Sequence, residues 1–253
     1  MNFSSFRPII AKCSQGQPLN GVQKGGSLLY KNIFSKTCNN PIILTKELFD
    51  SYIGYNIIYK LSKENKHQLV LGGDHSIGAP SVLASLYKYP DITVIWIDAH
   101  ADINTIRESK SKNRHGTPLA PCFGLENPWF DPTINHILKP SNLYYVGIRD
   151  LDNFEKYIIK KYYINIVTPD RMVQIINKSK TKFHISFDVD ALDPFILNST
   201  GTTAPHGLLT SHVKNIIGSA LNQNKLVGLD VCEFNPLLGN KNKSMNSIIK
   251  IFS

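Results

Sequence analysis

Hydrophobic residues along this chain fall into short unbroken runs separated by polar stretches. Eight runs, at 6–12, 41–45, 68–72, 92–98, 143–148, 163–167, 183–189 and 225–232, read as strands. Most are continuously apolar rather than alternating, as in strands covered on both faces. Between several of them the apolar spacing becomes helical. Region 46–63 carries Leu48, Tyr52, Ile53, Tyr55, Ile57 and Ile58, and 76–87, 151–161, 170–178 and 209–223 read the same way. The apolar stretch 245–252 predicts only a short terminal helix, while 104–113 and the Pro-containing 127–140 read as irregular. Strand–helix alternation of this kind predicts an α/β fold, a three-layer α/β/α sandwich with a mainly parallel eight-stranded sheet. No linker, repeat or low-complexity tract interrupts the pattern. The 253 residues, 42% of them hydrophobic, fit one domain over 1–253.

Charge changes this picture little. The formal net charge is +9, but only five of the 28 Lys and Arg residues are Arg (Arg7, Arg107, Arg114, Arg149, Arg171), and the cations are spread thinly. With no nucleic-acid motif, this reads as a solvated Lys-rich surface, and no nucleic-acid partner is expected. Cys13, Cys38, Cys122 and Cys232 form no CxxC pair, which argues against a zinc knuckle and fits a reducing, cytoplasmic setting. Cys232 lies in an apolar run and reads as a small buried hydrophobe. No run reaches membrane-span length and no signal peptide is visible, so no membrane partner is expected.

The chemistry sits where apolar runs end. Gly73-Asp74-His75, Asp98-Ala99-His100-Ala101-Asp102, Asp188-Val189-Asp190 and Glu233-Phe234-Asn235-Pro236 each follow a predicted strand. Ligands of open α/β sheets bind outside the carboxyl ends of strands, so separate strands can bring these clusters together. Side chains of a strand alternate, which predicts that Asp98, His100 and Asp102 point the same way. The set His75, Asp98, His100, Asp102, Asp188 and Asp190 offers two imidazoles and four carboxylates. Four carboxylates in one crevice repel one another unless cations neutralise them. Six ligands suit two ions with bridging carboxylates, and an oxygen-rich set with some imidazole suits Mn²⁺, with Co²⁺ or Fe²⁺ fitting similar ligands. Water between two such ions becomes a nucleophilic hydroxide near neutral pH.

Three motifs carry a resemblance: Gly72-Gly73-Asp74-His75-Ser76, Asp98 to Asn104, and Ser186-Phe187-Asp188-Val189-Asp190-Ala191-Leu192-Asp193-Pro194. They resemble the metal motifs of the ureohydrolases, the family of arginases and agmatinases. The match runs nearly end to end, since the segment from Ser14 to Val22 resembles the arginase amino-terminal motif and that from Gly228 to Pro236 the last one. The resemblance implies two Mn²⁺ per subunit, with His75 and Asp102 on one ion, His100 and Asp190 on the other, and Asp98 and Asp188 bridging. It implies that Glu233 pairs with a substrate guanidinium, for which a carboxylate accepting two parallel N–H bonds is suited. Thr202 is expected on the guanidinium side, and His115 as a proton shuttle whose ordinary pKa lies near neutrality. Asp102 would also accept a hydrogen bond from the hydroxide.

Arginine and agmatine differ by one carboxylate, so head-group contacts decide between them. The loop offers Asn104, Ser109, Ser111 and Asn113, which resemble the arginase contacts to the α-carboxylate. Arg149-Asp150-Leu151-Asp152 resembles the arginase motif that contacts the α-ammonium, and either Asp could instead cap the helix over 151–161. A site built to bond a group rejects analogues lacking it. The expectation is hydrolysis of L-arginine to L-ornithine and urea by a metal-bridging hydroxide. An agmatinase or other guanidino-compound ureohydrolase is the alternative, followed by a weakly active homologue that binds arginine or a partner. Two residues depart from the arginase pattern: Arg114 stands where an apolar residue is usual, and Lys112 where glycine is usual. A homo-oligomer, plausibly a trimer, is compatible with the resemblance, although the carboxyl-terminal tail that helps many animal-type arginases hold a trimer is absent from the sequence.

Overall fold

Each of the eight apolar runs forms a strand in the computed structural model, which describes all 253 residues. They are β1 (Arg7–Ala11), β2 (Ile42–Leu44), β3 (Gln68–Leu71), β4 (Thr93–Ile97), β5 (Leu143–Val146), β6 (Asn165–Ile166), β7 (Phe183–Asp188) and β8 (Leu226–Cys232). They make one sheet in the order β2-β1-β3-β8-β7-β4-β5-β6, and every pairing is parallel. The four central strands are therefore β3, β8, β7 and β4, and each is buried along its whole length.

Nine α-helices cover the sheet: α1 (Gly25–Leu29), α2 (Lys46–Asp50), α3 (Ile53–Glu64), α4 (Gly78–Lys88), α5 (Leu119–Cys122), α6 (Asn153–Lys161), α7 (Pro169–Lys178), α8 (Thr210–Asn222) and α9 (Lys241–Phe252). The alternation of strand side chains splits the core in two. Leu69, Leu71, Ile95 and Ile97 pack with α1, α7, α8 and α9, while Val70, Val94 and Trp96 pack with α2 to α6. The expected three-layer α/β/α sandwich is what these residues build, with a sheet that is parallel throughout.

Three helical boundaries differ from the sequence pattern. The helix expected over 46–63 breaks at Tyr52, which adopts a left-handed backbone (φ 60). The break lets Phe49 turn inward against Tyr55, with ring centroids 5.1 Å apart. Helix α1, extended by a wider π turn at Tyr30–Phe34, was not expected at all. Its glycines serve close approach, because a Cβ on Gly25 would stand 2.1 Å from the Phe234 carbonyl oxygen and one on Gly26 2.3 Å from that of Leu71. The terminal helix starts earlier than the apolar stretch because Asn240 caps it, accepting a bond from Lys243 N at 3.0 Å.

Candidate metal centre and substrate pocket

The four central strands deliver the four polar clusters to one edge of the sheet. After β3, Asp74 caps a short 3-10 turn, His75–Ile77, and so turns His75 toward its neighbours. Gly73 is required there, since a Cβ would lie 1.7 Å from the Cys13 carbonyl oxygen. After β4 the chain leaves strand geometry at once. Asp98 Oδ1 accepts from His100 N at 2.7 Å, its Oδ2 accepts from Trp96 Nε1 at 3.0 Å, and Asp102 takes a left-handed backbone (φ 52). Strand alternation is therefore not what aligns Asp98, His100 and Asp102; a side-chain-bonded turn is. After β7, Asp188 Oδ1 accepts from Asp190 N at 2.8 Å.

Two groups of ligand-type atoms share Asp98, and a third stands beside them. His75 Nδ1 lies 3.0 Å from Asp98 Oδ2, 3.0 Å from Asp102 Oδ2 and 3.2 Å from Asp188 Oδ2. His100 Nδ1 lies 3.4 Å from Asp98 Oδ1 and 3.2 Å from Asp190 Oδ2. Asp98 belongs to both groups, one oxygen to each, whereas Asp188 reaches only His75. Cys232, the register partner of Asp188, joins His75 and Asp188 in a third group and is fully buried.

Electrostatics favour a cation here. Burial pushes the carboxyls of Asp188 and Asp190 up, each reinforced by its acidic neighbours, and lifts that of Asp102 to about 6 with help from Asp98. Burial alone would lower His100, but Asp190 and Asp98 outweigh it and raise the imidazole to about 12. Protons are thus held where charge is otherwise unbalanced. His75 Nδ1 is buried and makes no aligned hydrogen bond, although three carboxylate oxygens surround it. A buried imidazole nitrogen facing several carboxylates, without a bond of its own, fits a divalent ion.

His75 is held from behind. Its ring stacks on Trp96 with centroids 4.2 Å apart, and its Nε2 lies 2.9 Å from Ser186 Oγ. Ser186 donates to Asp230 Oδ2 at 3.2 Å, and the same oxygen accepts from His184 Nε2 at 2.9 Å. Ser81 donates to Asp230 Oδ1 at 2.5 Å. Sequence reading gave none of Trp96, Ser186, Asp230 and His184 a role.

The centre opens into a cavity of ≈ 240 Å³ with no hydrophobic lining residue. His100, Asp102, Asp188, Asp190, His115 and Thr202 line its floor and one wall, and Asn104, Ser109, Lys110 and Ser111 come from the following loop. Asp152 and Glu155 stand across from that loop as a capping box at the start of α6. Asp152 caps the helix, its Oδ1 accepting from Glu155 N at 2.9 Å, while its Oδ2 faces the pocket and accepts from Asn104 Nδ2 at 2.5 Å. Burial lifts the Glu155 carboxyl to about 8. Sequence reading missed Glu155, although its spacing from Asp152 is that of a capping box. Thr202 Oγ1 donates to Asp190 Oδ2 at 3.0 Å.

Glu233 lies beneath the pocket at 1% exposure, on a left-handed backbone (φ 65). Its Oε1 accepts from His75 N at 2.8 Å and lies 3.3 Å from His115 Nδ1, and Oε2 accepts from Gln17 Nε2. Burial would lower His115, but its bond to Glu233 and that charge raise it to about 9.

The Arginase family profile matches residues 53–252. The chain belongs to the arginase family. An arginase of Schizosaccharomyces pombe is 33% identical over 237 residues, covering 87% of this chain and 73% of its own. One of Plasmodium berghei is 36% identical over 252 residues, covering 90% and 71%. Among solved structures, the Entamoeba histolytica arginase in complex with L-ornithine superposes with a TM-score of 0.86 at 26% identity, covering 100% of this chain and 98% of the other.

Three substrate positions expected from arginase patterns fall outside the pocket lining: Glu233, buried against Gln17 and His115, Asn113 and Asp150. Asn113 belongs to the turn before His115, with its backbone N donating to Ser111 Oγ at 3.3 Å, so it stands behind the loop's serines. Asp150 has a side chain 71% exposed and comes no nearer than 3.9 Å to His100 Nε2. Arg149 of the same motif instead bonds the carbonyls of Gly147, Asp190, Ala191, Leu192, Ala204 and Pro205, tying the end of β5 to the loops that follow β7. Lys112 adopts the left-handed backbone (φ 58) that the usual glycine there would accommodate. No helix is long and apolar enough to cross a membrane.

Proposed function

We propose that this chain hydrolyses L-arginine to L-ornithine and urea with two Mn²⁺ ions. One observation carries the reading: a double His/Asp cluster sharing Asp98 forms the floor of a wholly polar pocket whose walls offer hydroxyl and amide groups on one side and two carboxylates on the other. That complement suits a guanidino substrate with an amino-acid head group. Asn104, Ser109 and Ser111 would take the α-carboxylate, and Asp152 with Glu155 the α-ammonium. Agmatine would leave the first set unused. The Entamoeba histolytica arginase in complex with L-ornithine supports a ligand that carries this amino-acid head group.

His75, Asp102 and Asp188 would hold one ion and His100 and Asp190 the other, with Asp98 offering an oxygen to each. Bound there, the pair would supply Lewis acidity and bring water's ionisation toward neutral pH. The chain's own groups do the rest. Glu233 would orient the guanidinium, sharing its carboxylate with Gln17 and His115. His115, at the pocket wall, would carry a proton to the departing amine of ornithine. Thr202 fixes the Asp190 carboxylate and so the floor against which the guanidinium rests. All four cysteines are free and buried, which supports a reducing, cytoplasmic setting.

The test is ornithine and urea release from arginine, agmatine and guanidinobutyrate after loading with Mn²⁺, Co²⁺ or Fe²⁺, with bound metal measured in parallel. Arginine should have the highest kcat/KM, with two ions per chain. A higher value for agmatine would refute the head-group assignment.

A further inference from the structure

The loop from Asn104 to His115 supplies one wall of the pocket and is an irregular segment whose internal hydrogen bonds are all short-range, such as Ser109 N to Thr105 O at 2.9 Å and Lys112 N to Ser109 Oγ at 3.2 Å. A further anchor lies outside it, on the equally irregular stretch after α5. Glu126 reaches both ends of the loop. Its Oε2 accepts from Ile106 N at 3.0 Å, and its Oε1 lies 3.6 Å from Arg114 Nη1. Arg114 adjoins His115 in sequence, but its guanidinium turns away from the pocket and lies over the Trp129 ring, 4.5 Å from the centroid. Trp129 is keyed into the core, edge-on to Tyr55 at 5.6 Å, and Tyr55 in turn bonds Ser76 Oγ at 2.9 Å, next to His75. The ion pair is mostly shielded, with 26% and 20% of the two side chains exposed.

We propose that Glu126, Arg114 and Trp129 form a clasp that positions the substrate loop and thereby sets affinity for the amino-acid head group. The proposal rests on the reading of that loop as the head-group wall. Arg114 is a positioning residue, since it acts through the backbone that carries Ser109, Ser111 and His115. Its planar guanidinium stacks on an aromatic face and pairs with a carboxylate at once, which the ammonium of lysine does only in part. Glu126 has two arms, one to a backbone N–H and one to a cation, so the two can be cut separately. Glutamine keeps the first and loses the charge of the second, whereas alanine loses both.

The experiment uses the Mn²⁺-loaded full chain and five variants: Arg114→Leu, Arg114→Lys, Glu126→Gln, Glu126→Ala and the double Arg114→Leu/Glu126→Gln. Arg114→Leu and Glu126→Gln should each raise KM for arginine roughly three- to ten-fold with kcat within about two-fold, the double should be no worse than the worse single, and Arg114→Lys should recover part of the loss. Glu126→Ala should exceed Glu126→Gln. Amide hydrogen exchange over 104–113 should quicken in Arg114→Leu and Glu126→Ala while the sheet stays protected. Unchanged KM with unchanged exchange, or fully additive losses in the double, would overturn the clasp. Wild type that releases no urea from arginine would sink the function proposed above instead, and the exchange comparison would still decide whether the clasp holds the loop.

Discussion

Replacing Asp230 by alanine should weaken the metal centre without touching a proposed metal ligand. Asp230 is fully buried in β8 and accepts three bonds, from Ser81, Ser186 and His184. Because Ser186 donates to Asp230, its oxygen is free to accept from His75 Nε2–H, 2.9 Å away. That fixes the proton of His75 on Nε2 and leaves Nδ1 bare toward Asp98, Asp102 and Asp188. His184 is ordered in the same way, with Nε2 donating to Asp230 and Nδ1 facing Ser85 Oγ at 2.8 Å. Removing the carboxylate strands three donors on side chains that are fully buried. Loss of one partner from a buried pair costs about 3–5 kcal/mol, which at about 2–4 °C per kcal/mol for a chain of this size lowers Tm by about 6–20 °C. Loss of a group that orients a ligand weakens metal binding by roughly 10–100-fold. Differential scanning of the chelator-treated protein measures the first effect and Mn²⁺ titration the second. Asp230→Asn, which keeps one acceptor, should fall between. A variant that unfolds within about 3 °C of the parent and binds Mn²⁺ as tightly would refute the reasoning.

Asp188→Ala should bind fewer than two Mn²⁺ per chain by elemental analysis and lose turnover by orders of magnitude; full metal occupancy with near-normal turnover would contradict the ligand assignment. His115 is raised to about 9, above its ordinary 6.5, by Glu233 acting against burial, so the stability this pair contributes is complete below pH 6.5 and is lost as pH rises through about 9. An imidazole NMR titration of the metal-free protein should place His115 near 9 and show it drop to 6.5 or below in Glu233→Gln; an unmoved titration would disprove the pairing. Lys112→Gly removes a left-handed lysine costing about 1–2 kcal/mol, offset by the freedom glycine adds to the unfolded chain, about 0.4–1 kcal/mol. Chemical denaturation should show a gain of up to about 1.6 kcal/mol, and a loss of about 1 kcal/mol would count against it.

Much of the fold was written locally. Eight apolar runs became eight strands, because a run covered on both faces has few other ways to bury itself. The clusters at the strand ends were legible for a related reason, since Asp and His directly after an apolar run stand at the rim of the sheet, where ligands bind. The sequence could not order the strands. His75, Asp98, Asp188 and Glu233 are neighbours only because β3, β8, β7 and β4 lie side by side, an arrangement made by contacts far apart in the chain. Nor could it divide the roles within 98–102, where strand periodicity predicted a common direction and a bonded turn with a left-handed Asp102 decided otherwise. Glu126 and Glu155 look like ordinary polar residues in sequence, and Ser186 and Asp230 lie in motifs that gave them no role. Only packing shows that two of them stand behind or against the pocket wall and two behind His75. Hydrophobic periodicity is a property of neighbours along the chain and survives in the sequence. The partner of a buried hydrogen bond is chosen by whichever distant segment arrives beside it, and that is settled only when the chain folds.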